Sequence, residues 1–343
     1  MITVVIPTIG RATLLDTLAA VGPGMPVIVV DDRAAPGGAA GVVESLPGRV
    51  RVVRSSGRGP AAARNAGWRA AETPWVVFLD DDVIPGPGWA EAVWKDLVDL
   101  PEDVAGSQGR IVVPLPGGRR PSDGERHTAG LSGALWVTAD MAYRRPVLES
   151  AGGFDERFPR AYREDADLAL RVTRAGHRLV LGQRVTTHPV RDDGFWASVR
   201  FQRGNADDAL MRRLHGPGWR AAIGGGPGRL RLHAATTAAA LAAAALGAAA
   251  LRGRGTADRG AGRGGFPGVP AIGAGPAQDR SDRWRAAGAA ALVWGALAAE
   301  FAWRRIAPGP RTPAEVVRMA VTSVVIPPVA CVHRLRGEWR ARR

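Results

Sequence analysis

The stretch Trp75-Val76-Val77-Phe78-Leu79-Asp80-Asp81-Asp82 decides the fold. Its first five residues are apolar and mostly β-branched or aromatic, which predicts a short buried strand. The three carboxylates at its end repel one another unless a cation or several hydrogen-bond donors hold them. Mg²⁺ and Mn²⁺ prefer oxygen ligands and commonly bind one or two carboxylates together with phosphates. The stretch therefore indicates either a cation site at the rim of a sheet or a solvated acidic turn.

Two further apolar runs, Ile2–Ile6 and Pro26–Val30, flank a helical pattern over residues 12–20. Continuous Val/Ile runs that alternate with helices predict parallel strands covered on both faces. In such sheets ligands bind at the carboxyl ends of the strands. We therefore expect Thr8, Asp31 and the Asp80–Asp82 triplet to lie at one edge of the sheet.

The chain after the triplet carries weaker patterns. Glu164, Asp165 and Asp167 open a helix, and helix capping explains one of these acids but hardly all three. The other expected elements are a third strand over residues 50–54, a helix over 89–100, a strand pair within 104–113, a Pro/Gly/Arg-rich loop over 114–126, a strand over 133–137, a helix over 141–150, strands over 178–181 and 185–189, and a polar helix over 195–214 that we expect to cover the mouth of the site.

Charge is distributed unevenly along the 343 residues, whose net charge is +14. Residues 216–343 hold 19 arginines, no lysine and six acids, whereas residues 1–215 hold 27 basic and 26 acidic residues. The basic residues are not interleaved with base-stacking aromatics, so we expect no nucleic-acid partner. The single Cys331 excludes an internal disulfide framework and suits a reducing compartment. The start of the chain lacks the pattern of a cleaved signal peptide.

Apolar segments recur in the basic part of the chain. Residues 233–251 carry no charge and are close to the roughly 20 residues that a spanning helix needs. Residues 286–303 and 316–332 are less regular, because Glu300 interrupts the first and Pro327-Pro328 break the second. The Gly/Arg/Pro-rich residues 252–283 predict a disordered linker. Two interpretations stay open, namely membrane association by spanning or interfacial helices and a soluble Ala-rich helical extension.

Six motifs in this order resemble the inverting family 2 glycosyltransferases. They are Val4-Val5-Ile6-Pro7-Thr8, Val29-Val30-Asp31-Asp32, Ala63-Arg64-Asn65-Ala66-Gly67, Phe78-Leu79-Asp80-Asp81-Asp82, Gly152-Gly153-Phe154-Asp155-Glu156 and Glu164-Asp165-Ala166-Asp167-Leu168. The resemblance covers residues 1–210. It implies an α/β GT-A fold, a Rossmann-like, mostly parallel sheet with helices on both faces. We expect a catalytic domain over residues 1–215 and an Ala/Arg-rich helical C-terminal region over 216–343.

The resemblance also implies roles for individual residues. Asp165 matches the base that deprotonates the acceptor, and Glu164 and Asp167 would lie on the acceptor side. The donor nucleotide sugar would be bound by Pro7, Thr8, Asp31, Arg58, Arg64, Asp80 and Asp81. A Mg²⁺ or Mn²⁺ ion would be held by Asp82, Asp80 and His188. Because all three triplet residues are Asp, the sequence leaves open which carboxylate does which task.

The expected activity is metal-dependent transfer of a sugar from a nucleotide-diphosphate sugar to a hydroxyl of a cell-envelope glycan or lipid-linked acceptor. The Gln-x-x-Arg-Trp motif of processive synthases has no clean match, so transfer of one or a few sugars is favoured. We expect a cytoplasmic catalytic domain that its C-terminal region attaches to a membrane surface. The alternatives are a polyprenyl-phosphate glycosyltransferase of the same fold, a non-catalytic sugar-binding homologue and, from another class, a basic nucleic-acid-binding protein.

Overall fold

A computed structural model describes residues 1–34, 41–191, 194–252 and 276–342. Contacts divide the chain into two compact units. Unit 1 comprises Met1–Gly194, Ala206–Pro227 and Gly337–Arg343, and unit 2 comprises Phe195–Asn205 and Gly228–Arg336. This partition differs from the predicted domain boundary at residue 215, which stays a prediction.

Unit 1 is built on one eight-stranded sheet. Its strands are β1 (Ile2–Thr8), β2 (Val27–Asp31), β3 (Val50–Arg54), β4 (Trp75–Leu79), β5 (Ile84–Pro85), β6 (Val104–Val112), β7 (Asp140–Arg144) and β8 (Arg178–Thr187). They lie in the order β3-β2-β1-β4-β7-β6-β8-β5. Strands β3, β2, β1 and β4 run parallel, and β7 is inserted antiparallel between β4 and β6. The predicted α/β fold class is confirmed.

Helices connect these strands and then continue beyond the sheet. They are α1 (Thr13–Val21), α2 (Pro60–Ala70), α3 (Trp89–Leu97), α4 (Asp123–Ala129), α5 (Arg145–Ser150), α6 (Glu164–Arg174), α7 (Ala197–Arg200), α8 (Gly204–His215), α9 (Trp219–Ala222), α10 (Leu230–Arg252), α11 (Pro276–Ile306) and α12 (Pro313–Ala341). Short 3₁₀ helices cover Gly130–Gly133 and Phe201–Arg203.

The sheet of unit 1 is buried on both faces, as its continuous apolar strands predict. Val4 and Ile6 of β1 pack in a cluster with residues of α1 and α3. Val5 points to the other face and packs in a second cluster with residues of α2, α5 and α6. Successive side chains of β1 therefore pack into two separate apolar layers, one on each face of the sheet.

Helix α2 lies close to the sheet at Gly67. A Cβ atom at this position would lie 2.3 Å from a methyl carbon of Val5 and 2.9 Å from one of Val30. Because real Cβ atoms do not approach other heavy atoms this closely, only glycine fits here without a shift of the helix.

The segment between β4 and α6 differs from its prediction. The strand pair expected within residues 104–113 is one strand, β6, and residues 133–137 form no strand, because a 3₁₀ helix ends at Gly133. The helix expected over residues 141–150 begins only at Arg145, where Pro146 suits its first turn. Residues Met141–Arg144 instead pair with β4 and complete the sheet.

Three other predicted segments are also different. Helix α4 begins within the expected loop over residues 114–126, because Ser122 and Glu125 form a capping box. The two strands expected after residue 178 are one bulged strand, β8. The polar helix expected over residues 195–214 is divided into α7, a 3₁₀ turn and α8.

Unit 2 contains three long apolar helices. Arg229, just before α10, donates to Glu300 of α11 at 2.6 Å, and Arg305 of α11 donates to Thr322 of α12 at 2.8 Å. By length and composition, three helices could cross a membrane: Leu230–Arg252, Gln278–Ile306 and Pro313–Ala341.

The predicted limits of these helices need correction. Residues 276–283, expected in the linker, are helical, and α12 continues through Pro327 and Pro328. The remaining linker residues, 253–275, lie outside the described residues.

A cavity of about 580 Å³ lies at the amino ends of β1 and β2. Met25, Trp94 and Lys95 are among its lining residues. Lys95 is exposed and is the one lysine of the sequence. This cavity is at the edge of the sheet opposite to the carboxyl ends of the parallel strands.

Candidate active site

The carboxyl ends of three neighbouring strands meet at one edge of unit 1. Thr8 at the end of β1 pairs in register with Asp31 at the end of β2. Strand β4 lies on the other side of β1, and the Asp80–Asp82 triplet follows it directly. The sheet therefore brings these side chains to one edge, as the parallel arrangement predicts.

Asp81, the middle carboxylate of the triplet, is buried and held by β1 and the loop after it. The Thr8 hydroxyl donates to Asp81 Oδ2 at 2.6 Å, and Arg11 Nη1 donates to Oδ1 at 2.8 Å. The same Thr8 oxygen accepts from the Gly10 amide at 2.9 Å. Asp81 thus joins the end of β4 to the loop after β1.

Asp82 faces His188 and two arginines. Arg191 forms an ion pair with Asp82, Arg11 Nη1 lies 3.7 Å from its Oδ2, and His188 Nε2 lies 4.0 Å from its Oδ1. His188 Nδ1 is 3.0 Å from the Pro189 carbonyl, which can only accept, so this nitrogen carries the ring proton. The other ring nitrogen, Nε2, therefore faces Asp82.

This pair fits a hard divalent ion that is completed by phosphate oxygens. One carboxylate oxygen and one imidazole nitrogen face each other across a gap that a single ion could bridge. Within the described ranges, no three His, Cys, Asp or Glu side chains cluster closely enough to hold a metal by themselves. Mg²⁺ commonly binds one or two side chains together with substrate phosphates, so two protein ligands suffice.

Arg64 of α2 connects the triplet to α6. Its guanidinium donates to Asp80 Oδ1 at 2.9 Å and to Glu164 Oε1 at 2.6 Å. The Arg64 side chain is only 2% exposed, so these charge-assisted contacts lie out of water. Arg64 therefore holds one oxygen of Asp80, as Arg191 and Arg11 face one oxygen of Asp82.

The two carboxylates that open α6 both resist ionisation. Burial and the neighbouring Asp165 raise the pKa of Glu164 to about 8, although Arg64 opposes the shift. Burial also raises the pKa of Asp165, and the charge of Asp80 adds to the increase. Asp165 Oδ1 accepts from the Ala166 amide at 2.7 Å, and its Oδ2 has no hydrogen-bond partner within the described part of the chain. A carboxylate with one free oxygen and a raised pKa is suited to act as a base.

Asn65, which follows Arg64, holds the turn that precedes α6. Its Nδ2 donates to the Phe154 carbonyl at 2.8 Å and to Glu156 at 2.9 Å. Its Oδ1 accepts from the Phe154 amide at 2.8 Å and from Trp68 Nε1 at 2.9 Å. The Ala63–Gly67 motif therefore fixes two other motifs, Gly152–Glu156 and Glu164–Leu168.

Asp31 forms a two-point pair with Arg33, with distances of 2.8 Å from both Nε and Nη2. The hydrogen bonds from Arg33 lower the pKa of this buried carboxyl. Arg58 is exposed and contacts the Ser55 carbonyl and Glu156. Pro7 lies in β1, directly before Thr8.

Asp167 has a different environment from Asp165. Arg171 donates to its Oδ2, at 2.8 Å from Nη2, and His215 of α8 contacts its Oδ1 at 2.7 Å. The Asp167 side chain is buried, so the carboxylate joins α6 to α8.

Asp32, Arg11 and Arg33 lie at this edge although sequence reasoning assigned them no role. Asp32 accepts from the Ser55 hydroxyl at 2.7 Å and from the Gly59 amide, just before α2, at 2.9 Å. Each of the three follows a parallel strand within three residues. The rule that selected Thr8 and Asp31 could therefore have selected them as well.

Part of the chain is similar in sequence to known glycosyltransferases. Residues 3–149 match the family described as Glycosyl transferase family 2. The chain is 36% identical over 198 residues to the pre-mycofactocin glycosyltransferase of Mycobacterium tuberculosis, covering 52% of this chain and 40% of that protein. It is also 36% identical over 103 residues to the validoxylamine A glucosyltransferase of Streptomyces hygroscopicus subsp. jinggangensis, covering 27% of this chain and 24% of that protein.

A solved structure with a similar fold is glucosyl-3-phosphoglycerate synthase from Mycobacterium tuberculosis, in complex with Mn²⁺, UDP-glucose and phosphoglyceric acid. The TM-score is 0.43 at 20% identity, and the match covers 63% of this chain and 80% of that chain.

The sequence match confirms the predicted resemblance. Residues 3–149 match glycosyl transferase family 2, and unit 1 has the α/β fold, with helices on both faces of the sheet, that is expected from this resemblance. This chain spans less than half the length of either curated relative.

Proposed function

We propose that the protein is an inverting glycosyltransferase. It moves a sugar from a nucleotide-diphosphate sugar to a hydroxyl group of a glycan or lipid-linked acceptor. The observation that carries the proposal is the link through Arg64, which holds Asp80 of the triplet and Glu164, the neighbour of Asp165, on one guanidinium. A cation-binding edge and a candidate base are thereby fixed relative to each other.

In the proposed reaction Asp165 is the general base. The free oxygen of Asp165 takes the proton of the acceptor hydroxyl. At the same time the hydroxyl oxygen of the acceptor attacks the anomeric carbon of the donor sugar. The new bond from carbon to the acceptor oxygen forms as the bond to the diphosphate oxygen breaks, and the electron pair leaves with the nucleoside diphosphate. Attack opposite the leaving group inverts the anomeric configuration.

The donor side is assigned to residues at the carboxyl ends of β1, β2 and β4. Asp82 and His188 would hold Mg²⁺ or Mn²⁺, which neutralises charge on the departing diphosphate. Pro7, Thr8 and Asp31 would lie beside the nucleoside, with Arg58 at the loop before α2. Asp80 would orient Arg64, and Asp81 would fix the loop after β1. For Asp167 we propose a structural role, because its two oxygens are held by Arg171 and His215.

The three long apolar helices support a membrane-associated acceptor. Helices of this length and composition could place the chain at a lipid surface, where a lipid-linked acceptor would be concentrated. The same observation favours the second candidate, a polyprenyl-phosphate glycosyltransferase, whose product would be extractable into organic solvent. In both cases we propose a cytoplasmic catalytic domain.

The test is a donor panel with the full-length protein in detergent. UDP- and GDP-sugars, including UDP-glucose because one relative is named a glucosyltransferase, are incubated with Mn²⁺ or with EDTA. We expect metal-dependent release of one nucleoside diphosphate. Asp165→Asn should reduce turnover by about 10²- to 10⁴-fold, the usual contribution of a general base, without loss of donor binding.

Asp99→Asn, an exposed carboxylate on unit 1, is the matched control and should keep full activity. Asp82→Asn should lower the affinity for Mn²⁺, so that turnover requires a higher Mn²⁺ concentration than in the wild type. The proposal is wrong if no donor binds in the presence of Mn²⁺, or if Asp165→Asn turns over as fast as the wild type.

A further inference from the structure

Arg11 is one of three arginines that contact the Asp80–Asp82 triplet, together with Arg64 and Arg191. Its Nη1 bonds Asp81 at 2.8 Å and lies 3.7 Å from Asp82. Asp81 is only 4% exposed, whereas the Arg11 side chain is 42% exposed. The arginine therefore reaches from solvent onto a buried carboxylate.

The guanidinium of Arg11 keeps unused donors. Within the described ranges, Nη1 is the only nitrogen of this group with a hydrogen-bond acceptor, so Nε and Nη2 remain available there. A guanidinium presents five N–H groups in a planar fork that fits phosphate oxygens at two points. The contact with Asp81 restrains the side chain, so less conformational entropy is lost when an anion binds.

We propose that Arg11 binds the diphosphate of the donor. This inference rests on the proposed function. Arg11 follows β1 at the same sheet edge as Asp82, so a diphosphate that meets an ion held by Asp82 and His188 comes within reach of the unused Arg11 donors. The arginine then counters negative charge that develops on the leaving group, in addition to the ion.

A purely structural role for Arg11 makes a different prediction. If Arg11 served only to hold Asp81 and the loop after β1, then removing either partner would have the same effect. If Arg11 contacts phosphate, Asp81→Asn keeps the cation and only Arg11→Gln removes it. The two variants therefore separate the two roles.

The experiment measures binding of inorganic pyrophosphate and of UDP to the full-length protein by calorimetry, with Mn²⁺ and with EDTA. Arg11→Gln should weaken pyrophosphate binding by about 10- to 100-fold, the range for loss of a charge-assisted contact. Arg11→Lys should give an intermediate loss, because it keeps the charge without the fork. Asp81→Asn should change pyrophosphate affinity by no more than a few fold. Urea midpoints of all variants check that they are folded.

Equal pyrophosphate affinity of Arg11→Gln and wild type overturns the inference, while normal UDP binding in both leaves the proposed function standing. An equal loss in Asp81→Asn and Arg11→Gln assigns Arg11 to loop anchoring instead. If Arg11→Gln does not fold, Arg11→Lys takes its place. Weaker pyrophosphate binding by Arg11→Lys than by Asp81→Asn then supports the inference, and equal binding overturns it. If the wild type binds neither probe with Mn²⁺, both the inference and the proposed function are wrong.

Discussion

At the scale of single residues, adjacent carboxylates in the site control each other's ionisation. In the proposed reaction Asp165 acts in its charged form, and burial together with the charge of Asp80 raises its pKa. Activity should therefore be lost on acidification at a higher pH than for an ordinary aspartate, because the base is protonated as the pH falls through its raised pKa.

The residue-scale prediction concerns Glu164→Gln. This change leaves Arg64 without a carboxyl partner in α6. The Arg64 charge lowers the pKa of Asp165, so the acid limb of the kcat/KM profile should move to lower pH when Glu164 no longer competes for it. The measurement is the pH profile of sugar transfer, with Glu149→Gln on α5 as a control that leaves the limb in place. An unchanged limb, or a shift to higher pH, would show that Glu164 does not influence the base.

The sequence predicts which residues lie at the candidate site better than it predicts which side chains they contact there. The rule that parallel strands share a carboxyl edge placed Thr8, Asp31 and the Asp80–Asp82 triplet together. It did not show that Asp81 points to Thr8 whereas Asp80 points to Arg64. Three aspartates in a row give no indication in the sequence of where each side chain points. Those directions depend on the close packing of the loop after β1.

At the scale of elements, α2 organises unit 1. Its Gly67 lies against the strands, its Asn65 holds the turn before α6, and its Arg64 holds the opening of α6. One helix of 11 residues therefore connects the core to both sides of the site.

Asn65→Ala tests this connection. The change removes an amide that makes four hydrogen bonds and leaves the Phe154 backbone groups buried without their partner. We expect a loss of about 2–4 kcal/mol in the free energy of unfolding, since each unsatisfied buried group costs roughly 1–3 kcal/mol. Urea denaturation measures it, and the exposed Arg69→Gln on the same helix should change stability by less than about 0.5 kcal/mol. A similar small effect for Asn65→Ala would contradict the role given to this side chain.

Gly67→Ala tests the close approach of α2 to the sheet. A methyl group would overlap Val5 and Val30, so the helix must shift. The expected cost is about 1–3 kcal/mol in the free energy of unfolding, as for other overpacked cores. Gly124→Ala in α4 is the control, because its added methyl meets open space and alanine favours helix by up to about 1 kcal/mol. If both variants are equally stable, α2 tolerates a larger separation from the sheet than the structure indicates.

The first half of the sheet was predictable, and the second half was not. Strands β1, β2 and β4 are continuous Val/Ile-rich runs whose neighbours follow from the alternation of strands and helices. The run Met141–Arg144 leads into a short helix without a break, and its four residues fit either structure. Only its pairing with both β4 and β6 makes it a strand, and such tertiary contacts are not encoded in local periodicity.

At the scale of the whole molecule, charge and apolar length are concentrated in different parts of the chain. Residues 1–215 are nearly neutral in sum, whereas residues 216–343 carry a net charge of +13 and contain the long apolar helices. Arginine-rich ends on apolar helices are typical of segments that associate with anionic lipid.

Leu292→Arg tests membrane association. Leu292 lies in the apolar part of α11, and its side chain is 77% exposed. An arginine at the centre of a spanning helix costs about 2.5–3.5 kcal/mol, so the carbonate-resistant membrane fraction should fall. Leu335→Arg, between the charged residues Arg334 and Arg336 of α12, is the matched control and should keep its membrane fraction. A wild-type chain found only in the soluble fraction would instead favour the Ala-rich soluble extension.

Lys95 gives the molecule a single chemical handle. As the one lysine of the sequence, it carries the only side-chain amine, and it lines the cavity at the amino ends of β1 and β2. The carboxylates Asp81, Asp82 and Asp165 belong to the other edge of the sheet. Coupling the Lys95 side chain to an activated-ester sensor surface would therefore attach the protein at this cavity, with the edge that carries the Asp80–Asp82 triplet turned toward the solution.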